Sequence, residues 1–167
     1  IYQRFLLVRK MVHLTRTITP WIQNSILAPL IKVTSFVPAL SNQSREAIAS
    51  LSTLNREIRG SEGDGEAQVF QCAIDGLETL FGTIDGGGDV LMAGSLWIFN
   101  TPLRFFELVR ELRPFSLVIL AHYCAILHRM PEQWWISPWN ERALAAIYKN
   151  LEEKWRCFIK LPVGFTL

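Results

Sequence analysis

The apolar positions of this chain recur at intervals of three and four residues, which is the spacing that puts side chains on one face of an α-helix. Ile48, Leu51 and Leu54 form part of one such stripe, and Phe70 and Leu77 belong to the next. Few segments alternate with a period of two residues, and β-branched runs do not lie between hairpin signals. The pattern therefore predicts an all-α fold with about eight or nine helices.

Glycine, proline and capping residues divide this pattern into separate helices. Ser41 or Asn42 can cap the third helix, and acidic, glycine-rich loops are expected near residues 60–66 and 84–89. We predict helices over about residues 4–17, 21–31, 42–59, 66–82, 90–99, 103–112, 115–129, 139–150 and 152–159. The longest apolar run, Phe115 to Leu127, is shorter than the roughly 20 residues that a membrane span needs. It predicts a buried core helix, and no membrane span is expected.

The composition changes this picture by adding an excess of bulky apolar side chains. The chain has 167 residues, of which half are apolar and 19% are charged, and it includes ten Phe, six Trp and three Tyr. That length fits one compact domain over residues 1–167, and the apolar content excludes a disordered chain. The excess predicts either a large core or apolar surface that is kept for a ligand or partner.

The charge is close to balanced but unevenly distributed. The net charge is +2, residues 1–60 hold eight basic and two acidic residues, and residues 61–89 hold seven acidic residues and no basic one. Solvated helix faces explain this distribution, with an acidic partner for the N-terminal basic residues as the alternative. We expect no direct contact of this chain with nucleic acid.

The residues that usually carry chemistry do not form a standard catalytic or metal site. Cys72, Cys124 and Cys157 are scattered, which indicates a reducing, intracellular compartment rather than a disulfide framework. His122 and His128 are six residues apart and cannot share one metal on a helix. We expect neither a metal nor a cofactor. His122 interrupts an apolar run, so it is either a core histidine bonded to a carbonyl or the polar group that orients a ligand in an apolar pocket.

The C-terminal third resembles a known family. Residues 114–129 read PFSLVILAHYCAILHR, and Trp134, Trp135 and Trp139 follow. Together with Ile147, Tyr148 and Trp155, this segment is similar to the C-terminal regulatory region of fungal zinc-cluster transcription factors, in the branch of the sterol uptake control regulators. The resemblance covers about residues 97–162. It implies an all-α domain that binds a sterol or another apolar small molecule and controls an attached zinc-cluster DNA-binding module.

The three cysteines cannot form the family's six-cysteine zinc cluster, so this chain is either a fragment of such a regulator or a truncated relative. The resemblance implies a nuclear or cytoplasmic location. The matched segment predicts a ligand pocket in which apolar groups exclude water and His122 or Tyr123 bonds a ligand hydroxyl. The predicted pocket residues are Phe99, Leu103, Phe106, Val118, Ala121, His122, Ala125, Trp135 and Trp139.

Two further hypotheses stay open from the sequence. A pocket without a DNA-binding module could serve a cofactor-free cyclase, which would hold a lipophilic terpene or polyketide intermediate for a pericyclic closure in fungal secondary metabolism. In that enzyme His122 would be the one candidate catalytic residue, by polarising an acceptor. The third hypothesis is an interaction module, with a possible homodimer or an acidic segment docked on the N-terminal basic helix.

Overall fold

The computed structural model describes residues 39–62, 64–127 and 137–159, together with positions 3, 5–7, 9–11, 13, 14 and 17. These last positions are helical, and no strand occurs anywhere in the described part of the chain. The remaining helices are α1 (Asn42–Glu62), α2 (Asp64–Asp85), α3 (Val90–Asn100), α4 (Leu103–Arg110), α5 (Pro114–Leu127), α6 (Ser137–Asn150) and α7 (Glu153–Arg156). The all-α prediction is confirmed.

Helix α5 forms the centre of the fold, as its apolar run predicts. All residues from Phe115 to Cys124 are buried, and the helix contacts α2, α3, α4, α6 and α7. A helix that is apolar on every side is stable only when neighbours cover all of its faces. Helices α1 and α2 pack against each other as a long pair, and α2 connects that pair to α5.

An aromatic cluster joins α3 to its neighbours. The Trp97 ring stacks on Tyr123 with centroids 4.3 Å apart, and the Phe105 and Phe106 rings meet it edge-on. Trp97 Nε1 donates to the carbonyl of Ala73 at 2.9 Å. Helix α2 allows this approach because Gly76 faces the indole: a Cβ there would lie 2.9 Å from Trp97 Cδ1.

The N-terminal helical residues dock on this cluster. Phe5 is buried, and its ring centroid lies 4.8 Å from that of Phe106. Arg9 donates to the carbonyls of Ile98 and Thr101 at the end of α3. A cation at a helix C-terminus also interacts favourably with the helix dipole, so this contact stabilises the end of α3.

The helix ends agree with several sequence signals and differ from others: α4 ends at Arg110 rather than near residue 112, and α7 covers only Glu153–Arg156 of the predicted 152–159. The helix predicted over residues 21–31 lies outside the described residues. Ser41 caps α1, because its Oγ accepts from the backbone N–H of Ser44 at 3.2 Å. The second acidic loop is a turn in which Gly87 has a φ of +81°, and Asp89 then caps α3. The prediction of a first loop near residues 60–66 is wrong for most of that range, since α1 continues to Glu62 and α2 begins at Asp64. Packing between the two long helices offsets the cost of helical glycine, about 1 kcal/mol per residue.

Candidate functional site

The predicted pocket residues lie on several surfaces of the domain. Phe106, Val118 and Ala121 are fully buried, whereas Phe99 and Ala125 are half-buried. Leu103 is 47% exposed. Trp135 lies outside the described residues, and Trp139 falls within α6 but its side chain is outside the described part.

The core surrounds the residues that α5 contributes to the predicted pocket. Val118, Ala121, His122 and Ala125 share one face of α5, because a helix advances about 100° per residue. Phe106 packs on Phe5 and Trp97. These side chains therefore pack against one another. Binding of a ligand at this face stays a prediction.

His122 makes the contact that is typical of a core histidine. It is 7% exposed, and its Nδ1 lies 3.0 Å from the carbonyl oxygen of Val118, one turn earlier in α5. A carbonyl only accepts, so Nδ1 carries the proton and donates. This bond fixes the tautomer and orientation of the ring. A role for His122 towards a ligand or a reacting group stays a prediction.

A groove of about 300 Å³ opens on a different face of α5. It lies between the end of α4, the middle of α5 and the C-terminal half of α6. Most of its walls are aliphatic, and two polar side chains stand among them. We call it the apolar groove, and its lining residues are Val109, Arg110, Leu112, Leu117, Leu120, Ala146, Ile147 and Asn150.

Leu112, on the wall of this groove, has an unusual backbone conformation. Helix α4 ends in a Schellman motif, in which the N–H of Arg113 bonds the carbonyl of Leu108 at 3.0 Å and the N–H of Leu112 bonds that of Val109 at 3.1 Å. The motif puts Leu112 in the left-handed region with a φ of 59°. Glycine normally occupies this position, because a Cβ there is costly. The strained leucine is also 52% exposed, so burial in the core does not explain it.

The polar groups of the groove are one guanidinium and one amide. Asn150 Nδ2 donates to the carbonyl of Ala146 at 2.7 Å, which leaves the amide oxygen of Asn150 as the atom able to accept from a ligand hydroxyl. Arg110 is exposed at the end of α4. Aliphatic walls with a few polar groups are typical of sites that bind apolar molecules in a fixed orientation.

None of the eight residues that line the apolar groove is among the predicted pocket residues. Pro114 does indicate that α4 must end before it. Nothing in the sequence marks Leu112 as the left-handed residue, because the usual glycine is absent. Leu117 and Leu120 belong to the same apolar run as the predicted residues, so the hydrophobic pattern does not separate the two faces.

The buried thiol of Cys124 is not an activated nucleophile. Burial raises its pKa from 9.0 to about 12, and burial also raises the pKa of neighbouring Tyr123 well above its usual range. A reactive cysteine needs the opposite shift, towards the thiolate. Among the described residues, no group of three His, Cys, Asp or Glu side chains is arranged to hold a metal ion.

Alkylation will distinguish the buried thiol from the two exposed thiols. Cys72 and Cys157 are exposed and Cys124 is buried. We expect iodoacetamide at pH 8 to modify two thiols of the folded protein quickly and Cys124 at least about a hundredfold more slowly, because it needs both access and the thiolate. Mass spectrometry of timed samples measures this, with denatured protein as the control. Equal rates for all three thiols would show that Cys124 is not held as described.

None of the described helices combines the length and apolarity needed to cross a membrane. Comparison of the chain with protein-family models, with curated proteins and with solved structures finds no match.

Proposed function

We propose that this chain is a regulatory, ligand-sensing domain that binds a sterol or another apolar polycyclic molecule in the apolar groove. The observation that carries the proposal is Leu112, a half-exposed leucine in a left-handed conformation on the wall of that groove. Strained backbone positions are typical of functional sites, where another requirement outweighs the strain. Here the requirement is an apolar side chain at the mouth of the groove.

The size and chemistry of the groove suit one end of such a ligand. Its volume of about 300 Å³ is at the lower limit for small-molecule sites, so it would enclose part of a polycycle and leave the rest exposed. Leu117 and Leu120 form the apolar floor of the groove from α5, and Ile147 forms it from α6, with all three almost fully buried. Burying apolar surface contributes roughly 25 cal/mol per Å². The Asn150 amide oxygen would then accept from a ligand hydroxyl and set the orientation.

The resemblance of the C-terminal third supports the regulatory part of the proposal. Helix α5, Pro114–Leu127, carries most of the motif that resembles the fungal zinc-cluster regulators, and the same helix forms the floor of the groove. In such a regulator, ligand binding beside α5 would change how the domain acts on its attached DNA-binding module. A nuclear or cytoplasmic location goes with this role.

Equilibrium binding to delipidated protein tests the proposal. Cholesterol delivered from methyl-β-cyclodextrin is titrated into the full chain, and intrinsic tryptophan fluorescence and native mass spectrometry report the complex. We expect saturable binding of one molecule per chain. No saturable binding of cholesterol, or of other sterols and apolar polycyclic molecules titrated in the same way, would overturn the proposal. Light scattering during the titration shows whether a second copy of the chain covers the groove instead.

Two substitutions of Leu112 separate its strain from its contact with a ligand. Leu112→Gly and Leu112→Ala both remove the isopropyl end of the side chain, but only glycine relieves the left-handed backbone. We expect the Gly variant to be more stable than the Ala variant by about 1 kcal/mol, against the usual preference for alanine. Both variants should bind cholesterol about fivefold more weakly, because each loses about 1 kcal/mol of apolar burial.

Chemical denaturation measures the first difference, and the cholesterol titration measures the second. Leu91→Ala is the matched control, since Leu91 is an exposed leucine on α3 that does not line the groove. If the Ala variant were the more stable of the two, the strain at Leu112 would be refuted. If both bound cholesterol as the unchanged protein does, Leu112 would not be part of the site.

A further inference from the structure

A second cavity, of about 680 Å³, lies between α1 and α2. It differs from the apolar groove in being lined mostly by polar side chains, and the two cavities share no lining residue. One stripe of α1 forms one wall, and the first turns of α2 form the other. We call it the polar cleft, and its lining residues are Ser52, Asn55, Arg56, Arg59, Ala67, Gln68 and Gln71.

Asn55 is the buried polar group of the cleft, and it is only 5% exposed. Its Nδ2 donates to the carbonyl of Ala67 and to Gln71 Oε1, both at 3.0 Å. Both hydrogens of the amide are therefore used within the protein. Its Oδ1 has no hydrogen-bond partner and almost no surface open to solvent, so a donor reaches it only by displacing a side chain of the cleft. Buried acceptors without a donor are uncommon, because desolvation of the oxygen is then not compensated.

The Asp75 carboxylate fixes the orientation of the Gln71 amide and, through it, that of the Asn55 amide. Gln71 Nε2 donates to Asp75 Oδ1 at 2.8 Å. An ionised carboxylate only accepts, so Gln71 must turn its NH₂ group to Asp75 and its oxygen to Asn55. Asn55 must then turn its own NH₂ group to Gln71. Flipping the Asn55 amide would break both of its bonds, so the unpartnered atom is an acceptor that requires an N–H or O–H donor.

Two arginines of the polar cleft could bind an anion. Arg56 and Arg59 line it one turn of α1 apart, and both are exposed at its rim. Guanidinium groups bind phosphate through paired, charge-assisted hydrogen bonds. A ligand with an oxyanion to lie against the arginines and a donor for Asn55 therefore fits the chemistry of the cleft.

We propose that the polar cleft is a second binding site, for a small phosphate ester that also carries a hydroxyl or N–H donor. The phosphate would lie against Arg56 and Arg59, and the donor would bond Asn55 Oδ1. Sugar phosphates and nucleoside monophosphates have this chemistry. The proposal does not depend on the apolar groove, so the domain would respond to two chemically different molecules.

Calorimetric titration of the full chain tests the site with four probes. These are glycerol phosphate, adenosine monophosphate, inorganic phosphate and glycerol. We expect saturable binding of at least one of the two esters, about tenfold tighter than inorganic phosphate, because only the esters supply the missing donor. Glycerol alone should not bind. If neither ester bound saturably, the proposal would be overturned.

Substitutions test whether the esters bind in the polar cleft. Arg56→Gln combined with Arg59→Gln should abolish binding of the esters, and these exposed positions should leave the fold intact. Asn55→Leu should reduce ester affinity about tenfold, to that of inorganic phosphate. Arg142→Gln is the matched control, as an exposed arginine of α6 outside the cleft. Ester binding that survives the double arginine substitution, or that equals phosphate binding in both the unchanged protein and Asn55→Leu, would contradict the proposal.

Discussion

Replacing Ala146 by tryptophan is expected to weaken binding of an apolar ligand strongly while the domain remains folded. Ala146 is an exposed residue of α6 on the wall of the apolar groove, so a larger side chain there need not enter the core. An indole would occupy much of a cavity of about 300 Å³ and cover Ile147 and Leu117. We expect the affinity for cholesterol to fall more than about tenfold, since apolar burial is the main source of binding.

The neighbouring alanine provides the control for this substitution. Ala145 is also exposed on α6 but does not line the groove. Ala145→Trp therefore adds the same indole to the same helix without filling the site, and we expect cholesterol to bind it as it binds the unchanged protein. Circular dichroism confirms that both variants fold. Equal loss of binding in the two variants, or no loss in either, would place the ligand elsewhere.

Trp97→Ala is expected to cause the largest loss of stability, about 3–5 kcal/mol of the free energy of unfolding. The indole is 2% exposed and lies between Gly76 and Tyr123. Its removal leaves a cavity between α2 and α3, and it also removes the hydrogen bond to the Ala73 carbonyl. Urea unfolding followed by circular dichroism measures the change, because the far-ultraviolet signal reports mainly the helical backbone rather than the tryptophan that is removed.

Trp97→Phe separates the hydrogen bond from the packing. Phenylalanine keeps an aromatic ring between Gly76 and Tyr123 but lacks the indole N–H. We expect a cost of about 1–2 kcal/mol from the lost bond and the smaller ring. A cost below 1 kcal/mol for Trp97→Ala would show that α3 does not depend on this cluster.

The sequence predicts the helices well wherever the hydrophobic stripe and the capping residues agree. Val90 to Phe99 is predicted as a helix, and α3 covers Val90–Asn100 with Asp89 as its cap. Gly60 to Gly65 contains four turn-forming glycine and aspartate positions, yet both long helices extend into this segment. Local glycine signals report only the cost of a helix, and they contain no information about the partner helix that offsets it.

The candidate site is harder to predict, and α5 shows why. Because its sequence is apolar all round, the period of the pattern does not show which side meets the core and which lines a cavity. The interruption by His122 indicates the face of Val118, whereas Leu117 and Leu120, which are as deeply buried, lie under the groove. The sequence does not reveal the role of Leu112 either, because its backbone conformation depends on how α4 ends and α5 begins.

Methyl NMR during a cholesterol titration tests the central claim most directly, because it reports which face of α5 the ligand meets. The claim is that an apolar molecule binds in the groove beside Leu112, Leu117 and Ile147. We predict saturating chemical-shift changes at the methyl groups of these three residues, with small changes at Val118 and Ala121. Changes concentrated at Val118 and Ala121, or no saturable change at the groove methyls, would contradict it.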